Sequence, residues 1–318
     1  MTHVLSHLQS RVTHVIIRGA GNKAFSAGGD ILQLSTSKYE FSKDILRYTL
    51  ASFAIVSNFK VPYIAIMNGI TMGGGSSYSI AGKYRIATER TIYAMPETLI
   101  GFFNDAGASF FLPRLPNNIG IYLGLTGARL KGFDVKKVGL ATHYVESRKI
   151  EDLEKALISC KNEKEIVEVI ESFTSTPEDE KSEIDEITVK IDKCFAADSI
   201  EKIYENLEKD GSHWAENTIQ TLNQMSPTSL KVSLRNMVEG KKLTLHECLT
   251  LDYRVGAHHL IKSDLKEGVR ALLIDKDLKP KWNPGTVEDV TENHVERFYK
   301  PLPLQDDLEF QNHLKHKI

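Results

Sequence analysis

The chain has 318 residues, with 41% apolar side chains, 26% charged side chains and a mean hydropathy of −0.25, enough apolar material for a deep core and too much for a disordered chain. Twenty-one glycines and ten prolines are ordinary usage for this length and exclude a collagen-like or low-complexity chain. Forty basic against 42 acidic side chains leave a net charge of −2, which removes the simplest argument for a nucleic-acid partner.

The charge is divided along the chain. Residues 1–150 carry 17 basic and 8 acidic side chains, net +9, and the remainder carries 23 and 34, net −11. A basic half can attract a phosphorylated ligand, although ordinary surface lysines and arginines are the simpler account. Cys160, Cys194 and Cys248 are odd in number and widely spaced, without a CxxC pair for zinc or thiol exchange, so a reducing compartment is expected.

In chain order, Met1 to Ser10 contains His3 and His7 but no basic residue followed by an apolar run, so neither a secretory signal nor a transit peptide is read there. His14 to Ile17 and Tyr63 to Met67 have strand length and composition, each leading into a glycine turn. Val61 to Gly82, the longest uncharged stretch, is interrupted by Pro62, Asn68, Gly69, Gly73 to Gly75 and several serines, and reads as buried interior with no membrane span. Tyr84 to Ala87 and Thr91 to Met95 are further strands. From Lys149 the texture turns helical, with Glu151 to Cys160 and Glu163 to Phe173 as charged helices and a loop at Thr174 to Pro177. Thr228 to Val238 follows the helix-start pair Ser226-Pro227 and sets Leu230, Leu234 and Met237 on one face. The expected division is an α/β core over 1–148 and a helical region over 149–318.

Several segments could carry chemistry. The run from His14 to Ala24 is a strand entering GxGxxA, the outline of a dinucleotide fingerprint, but a second tight turn, Gly28-Gly29-Asp30, intervenes before any helix begins at Ile31. Gly73-Gly74-Gly75 follows a buried run and opens a small-residue helix, so its amides are unshielded at a helix start where negative charge is favoured. Two such turns can furnish the paired donors of an oxyanion hole, while either alone can be no more than a tight turn.

Acidic residues are scarce in the first half. Glu97, in Met95-Pro96-Glu97-Thr98, and Asp105, in Phe102-Phe103-Asn104-Asp105, both sit among apolar neighbours, where burial raises a carboxyl pKa towards the range of general acid or base work. The competing expectation is capping, with Asp105 starting a helix and Glu97 in a first turn. His143, His258 and His259 read as packing or surface residues. No serine has a GxSxG elbow, and metal-ligand spacing is absent.

Taken together, these segments resemble the crotonase superfamily and, within it, the 3-hydroxyisobutyryl-CoA hydrolases. The resemblance runs from about His14 to Trp282. It is carried by Lys23 to Asp30, Asn68 to Gly75, Arg85 to Glu89, Ala94 to Thr98, Gly101 to Asp105, Leu125-Thr126-Gly127, Met225 to Lys231 and Glu267 to Asp277. It implies an α/β spiral of ββα units with a helical C-terminal region and an acyl-CoA thioester as substrate. The N–H groups of Gly29 and Gly74 would hold the thioester oxygen, and Glu97 and Asp105 would match the catalytic carboxyl pair. No metal and no cofactor beyond the substrate's own CoA are implied, a homo-oligomer is compatible with the sequence, and such hydrolases act in mitochondria.

The chain departs from the family pattern at four places. Ser77 stands where enoyl-CoA hydratases carry a glutamate, which argues against hydratase chemistry. The opening Asn-Arg-Pro and Asn-Ala-Leu stretch is missing, so an incomplete or alternatively started product is expected. Arg47-Tyr48-Thr49-Leu50-Ala51 replaces Glu-Tyr-x-Leu-Asn, and Asn104 replaces a proline before Asp105. Three readings stay open from sequence: hydrolysis of a β-hydroxyacyl-CoA, enoyl-CoA hydration or isomerisation, and a catalytically silent acyl-CoA-binding protein of the same fold.

Overall fold

The structure, a computed structural model, describes residues 12–177, 182–262, 264–303 and 306–308. The reading of the stretch around His3 and His7 lies outside these residues. The chain divides into two compact units, one of Met1–Gly28, Ser52–Ala94 and Arg129–Glu186, the other of Gly29–Ala51, Met95–Ala128 and Ile187–Ile318.

Among the described residues, the first unit contains eight strands: β1 (Val15–Arg18), β2 (Ala24–Ser26), β3 (Tyr63–Met67), β4 (Ile70–Met72), β5 (Tyr84–Ala87), β6 (Ile92–Ala94), β7 (Leu130–Lys131) and β8 (His143–Tyr144). They form two four-stranded sheets, ordered β1-β3-β5-β8 and β2-β4-β6-β7, in which every pair is parallel except β6 with β7. Each successive pair of strands is split between the sheets and followed by a helical segment before the next pair begins. Parallel neighbours require such crossovers, and their repetition produces the spiral of ββα units expected from sequence.

The apolar run at β3 is fully buried because both of its faces are covered. Ile64, Ile66 and Ile86 pack against Ile150, Leu153 and Leu157 of the helix Ile150–Ile158, and against Ile166 and Ile170 of the helix Glu163–Phe173. The fingerprint-like glycines serve the β1–β2 turn: a Cβ on Gly19 would lie 1.8 Å from the carbonyl oxygen of Ala24, which only glycine tolerates. All three cysteines are free and buried.

The second unit is helical. Asp30 caps the helix Ile31–Thr36, accepting the Gln33 N–H at 2.9 Å. Ser226 caps Pro227–Gly240, accepting the Ser229 N–H at 3.1 Å, and Leu230, Leu234 and Met237 face inward as their spacing predicts. One core joins Phe102, Phe103 and Val232 to Val255 of the helix Leu245–Lys262, to Leu265 and Val269, and to Val295 and Phe298. His259 lies inside this core against Phe102, Phe103 and Phe298, and burial lowers its pKa to about 3, so it is a neutral packing residue at physiological pH. No helix among the described residues is long and apolar enough to cross a membrane.

Candidate active site

Within the first unit, Gly28 lies against the glycine turn that opens at Gly73. Gly28 has φ +95°, a conformation that glycine adopts without penalty, and a Cβ there would sit 3.6 Å from the N atom of Gly74. One position further into the helix Gly74–Ile80, a Cβ on Gly75 would lie 2.5 Å from the Ser26 carbonyl oxygen, so the helix start packs directly on the end of β2. The N-cap Gly73 has φ +54° and carries no side chain over the helix start. A Cβ on Gly29 or on Gly74 would meet nothing within 4 Å. Neither residue's N–H donates to an acceptor among the described residues, so both remain available to a ligand. Ser77 is fully buried in this helix and its hydroxyl has no hydrogen-bond partner among the described residues.

The two carboxyls occupy the second unit. Pro96, at φ −90°, turns the chain into the 3-10 helix Glu97–Ile100, and Gly101, at φ +69°, ends it. Three bonds fix this turn: Thr98 donates from its hydroxyl to the Leu125 carbonyl at 3.1 Å, Ser226 N–H donates to the Thr98 carbonyl at 3.1 Å, and Phe102 N–H donates to the Glu97 carbonyl at 3.0 Å. Glu97 therefore begins a first turn, as the capping expectation supposed, but its side chain points into the interior and is only 5% exposed.

Burial, reinforced by the Asp105 carboxyl, pushes the pKa of Glu97 up to about 8, against weaker opposing hydrogen bonds that include one from Asn104. Burial raises Asp105 to about 7. The two acids singled out from sequence thus both lie in this unit, each raised by burial. The expectation that Asp105 starts a helix is not met: the helix Ala108–Phe111 has Gly107 at its N-cap and no side-chain cap bond. Asp105 is instead set by a left-handed turn, Ala106 at φ +54° and Gly107 at φ +85°, closed by Ala108 N–H donating to the Asp105 carbonyl at 3.0 Å. A left-handed alanine costs about 1–2 kcal/mol and persists only where the surroundings impose it.

The imposing group is Asp252, which sequence reading missed. It is fully buried, accepts the Gly107 N–H at 2.7 Å and the Ser109 hydroxyl at 2.9 Å, and is itself raised to about 8 by burial, with Asp105 adding to the rise. A signal was present: Cys248, Asp252, Val255 and His259 recur at spacings of four, three and four, which puts an acid on the buried face of a helix. In the sequence Asn104 stands out only as a departure from proline. In the structure its amide donates to Glu97 Oε2 at 2.8 Å. Arg47, the other departure in this unit, donates to the Tyr253 hydroxyl at 2.6 Å and the Asp306 carbonyl at 2.7 Å, anchoring residues 306–308.

A model of the enoyl-CoA hydratase/isomerase family matches residues 1–299. The 3-hydroxyisobutyryl-CoA hydrolase, mitochondrial, of Rattus norvegicus is 44% identical over 300 residues, 92% of this chain and 78% of the relative. The Homo sapiens protein of the same name is 43% identical over the same shares of both chains. Among solved structures, a carnitinyl-CoA dehydratase from Mycobacterium thermoresistibile has a TM-score of 0.87 at 30% identity, covering 98% of this chain and 92% of its own. An enoyl-CoA hydratase from Rhodobacter sphaeroides 2.4.1 has a TM-score of 0.83 at 29% identity, covering 97% and 90%. By its two-sheet spiral, its ordered motifs and these similarities, the chain belongs to the enoyl-CoA hydratase/isomerase family of the crotonase superfamily and, within it, to the 3-hydroxyisobutyryl-CoA hydrolases.

Proposed function

We propose that the chain is an acyl-CoA thioester hydrolase that converts 3-hydroxyisobutyryl-CoA and water to 3-hydroxyisobutyrate and CoA, a step of valine breakdown. The observation that carries this reading is the 44% identity over 300 residues to a hydrolase of that name. Ser77, at the place of the hydratase glutamate, supports hydrolysis over hydration.

The chemistry assigns each residue a task. Attack on the thioester carbonyl builds negative charge on its oxygen, and the N–H groups of Gly29 and Gly74 stabilise that charge, a donor of this kind being worth about 3–4 kcal/mol when judged by its removal. Glu97, ionised, drives the attack either as a base that takes a proton from water or as a nucleophile that forms an anhydride which water then cleaves. Asp105 orients the β-hydroxyl or passes the proton to the departing thiolate. Water's oxygen ends in the product carboxylate and its hydrogens are divided between the released acid and the CoA thiol. The only CoA required is the substrate's own, and the mitochondrial relatives support a mitochondrial setting for the reaction.

The test is thiol release from 3-hydroxyisobutyryl-CoA by the purified chain, with Glu97→Gln as the control. Intact thioester in the presence of folded wild-type protein overturns the proposal. The second reading, hydration or isomerisation, is favoured by the names of the two solved structures, and it predicts a change in enoyl-thioester absorbance without thiol release. Binding of CoA with no turnover of any acyl thioester marks the silent alternative.

A further inference from the structure

Glu97 is held asymmetrically. Its Oε2 accepts the Asn104 side-chain N–H at 2.8 Å, whereas its Oε1 is buried and has no hydrogen-bond partner among the described residues. Asn104 is itself immobilised. It is 1% exposed, and its main-chain N–H donates to the Ser233 hydroxyl at 3.1 Å, which ties it to the helix Pro227–Gly240. Gly124 makes room for the side chain, since a Cβ there would lie 2.9 Å from Asn104 Oδ1. Oδ1 has no hydrogen-bond partner among the described residues, so the one bond that the Asn104 side chain makes in this setting is the one to Glu97.

A fixed N–H donor aimed at one oxygen of a buried carboxyl does two things. It selects one rotamer of the carboxyl, and it binds the ionised form more strongly than the neutral one, opposing the effect of burial. We infer that Asn104 is a positioning residue for Glu97: its amide fixes Oε2 and so presents Oε1, ionised, as the reacting oxygen. Proline at this position could make neither the bond to Glu97 nor the bond to Ser233. The catalytic meaning of the inference rests on the hydrolase reading, while the coupling of Asn104 to the ionisation of Glu97 does not.

The experiment therefore measures both. The full chain, labelled with 13C at the glutamate carboxyls, is titrated by NMR, with Glu97→Gln identifying the resonance. Asn104→Leu, close to the original shape, and Asn104→Ala both remove the donor. The Glu97 midpoint is expected to rise by about one unit, a tenfold change in the ionised fraction. Steady-state assays with 3-hydroxyisobutyryl-CoA should show kcat at pH 7 falling about tenfold and recovering at higher pH, with KM within about twofold, because an interaction felt only during the chemical step changes kcat and leaves ground-state binding alone. An unshifted midpoint in a folded variant, or a loss of kcat equal at every pH, overturns the inference. A shifted midpoint in a protein that cleaves no thioester overturns the hydrolase reading and leaves the coupling intact.

Discussion

Gly107 donates its main-chain N–H to the carboxyl of Asp252 at 2.7 Å, joining a left-handed turn to a buried helix face 145 residues away in sequence. Ser109 donates its hydroxyl to the other oxygen of the same group, so both donors lie within four residues after Asp105. Asp252→Ala leaves these two donors unpartnered in the interior and is expected to cost about 2–4 kcal/mol, since each orphaned buried group costs about 1–3 kcal/mol. Asp252→Asn keeps the acceptors in part and should cost about half as much. Urea unfolding of both variants measures this, and a loss below 1 kcal/mol for Asp252→Ala, within the scatter of ordinary substitutions, counts against the brace.

Glu97→Gln keeps the side-chain shape and removes the ionisable group. Thioester cleavage should fall about 10²- to 10⁴-fold, the usual contribution of a positioned base, with little change in KM. Retention of more than about a tenth of wild-type kcat would exclude Glu97 from the chemical step, because that loss lies well below what a general base contributes.

The oxyanion role of Gly74 can be isolated because Gly74 is the first residue of its helix, where proline is tolerated and no intrahelical N–H bond is lost. Gly74→Pro deletes the donor alone. The melting temperature should stay close to that of wild type while kcat falls about 10²- to 10³-fold. Unaltered kcat would assign the carbonyl oxygen to other donors.

Glu97, Asp105 and Asp252 all carry pKa values raised by burial, and the sign of the resulting pH dependence follows. Below their unfolded values near 4 the three are neutral in both states, and the folded state loses none of its stability to them. As pH rises from about 4 towards the raised values, about 7 to 8, the unfolded chain has released protons that the native state retains, so stability falls, and it levels off once the native groups ionise as well. Each displaced unit is worth about 1.4 kcal/mol. Thermal melts should descend from pH 5 to about 8 for wild type and level off by pH 9, and Glu97→Gln should flatten the descent and melt higher at the alkaline end.

Catalysis should run the other way. Glu97 acts ionised, so kcat/KM should climb about tenfold per pH unit below the pair's titration and level off above about pH 8. A profile flat between pH 5.5 and 8.5, measured by thiol release, would remove Glu97 as the attacking or activating group. Activity and stability are thus expected to oppose each other with pH, because the same burial that makes the acid a stronger base makes its charge costly to keep.

Local chemistry was legible along the chain. The strand runs at Tyr63 to Met67 and Tyr84 to Ala87, the cap at Ser226 and the inward face of Leu230, Leu234 and Met237 follow from neighbours a few residues apart, whose steric and hydrogen-bonding preferences act without the rest of the fold. Glu97 and Asp105 could be singled out because a charge among apolar residues is conspicuous in any window. Which sheet each strand joins, and which residue grips which acid, could not be read in this way. The β1–β3 pairing joins strands 48 residues apart, Asp252 reaches Gly107 across 145, and Ser233 reaches Asn104 across 129. Such bonds exist only after the chain has closed long loops and expelled water from between the partners. Sequence therefore determined the elements and marked the acids, and tertiary burial alone decided their proton affinities, because desolvation depends on everything packed around a group and on nothing visible in its immediate neighbours.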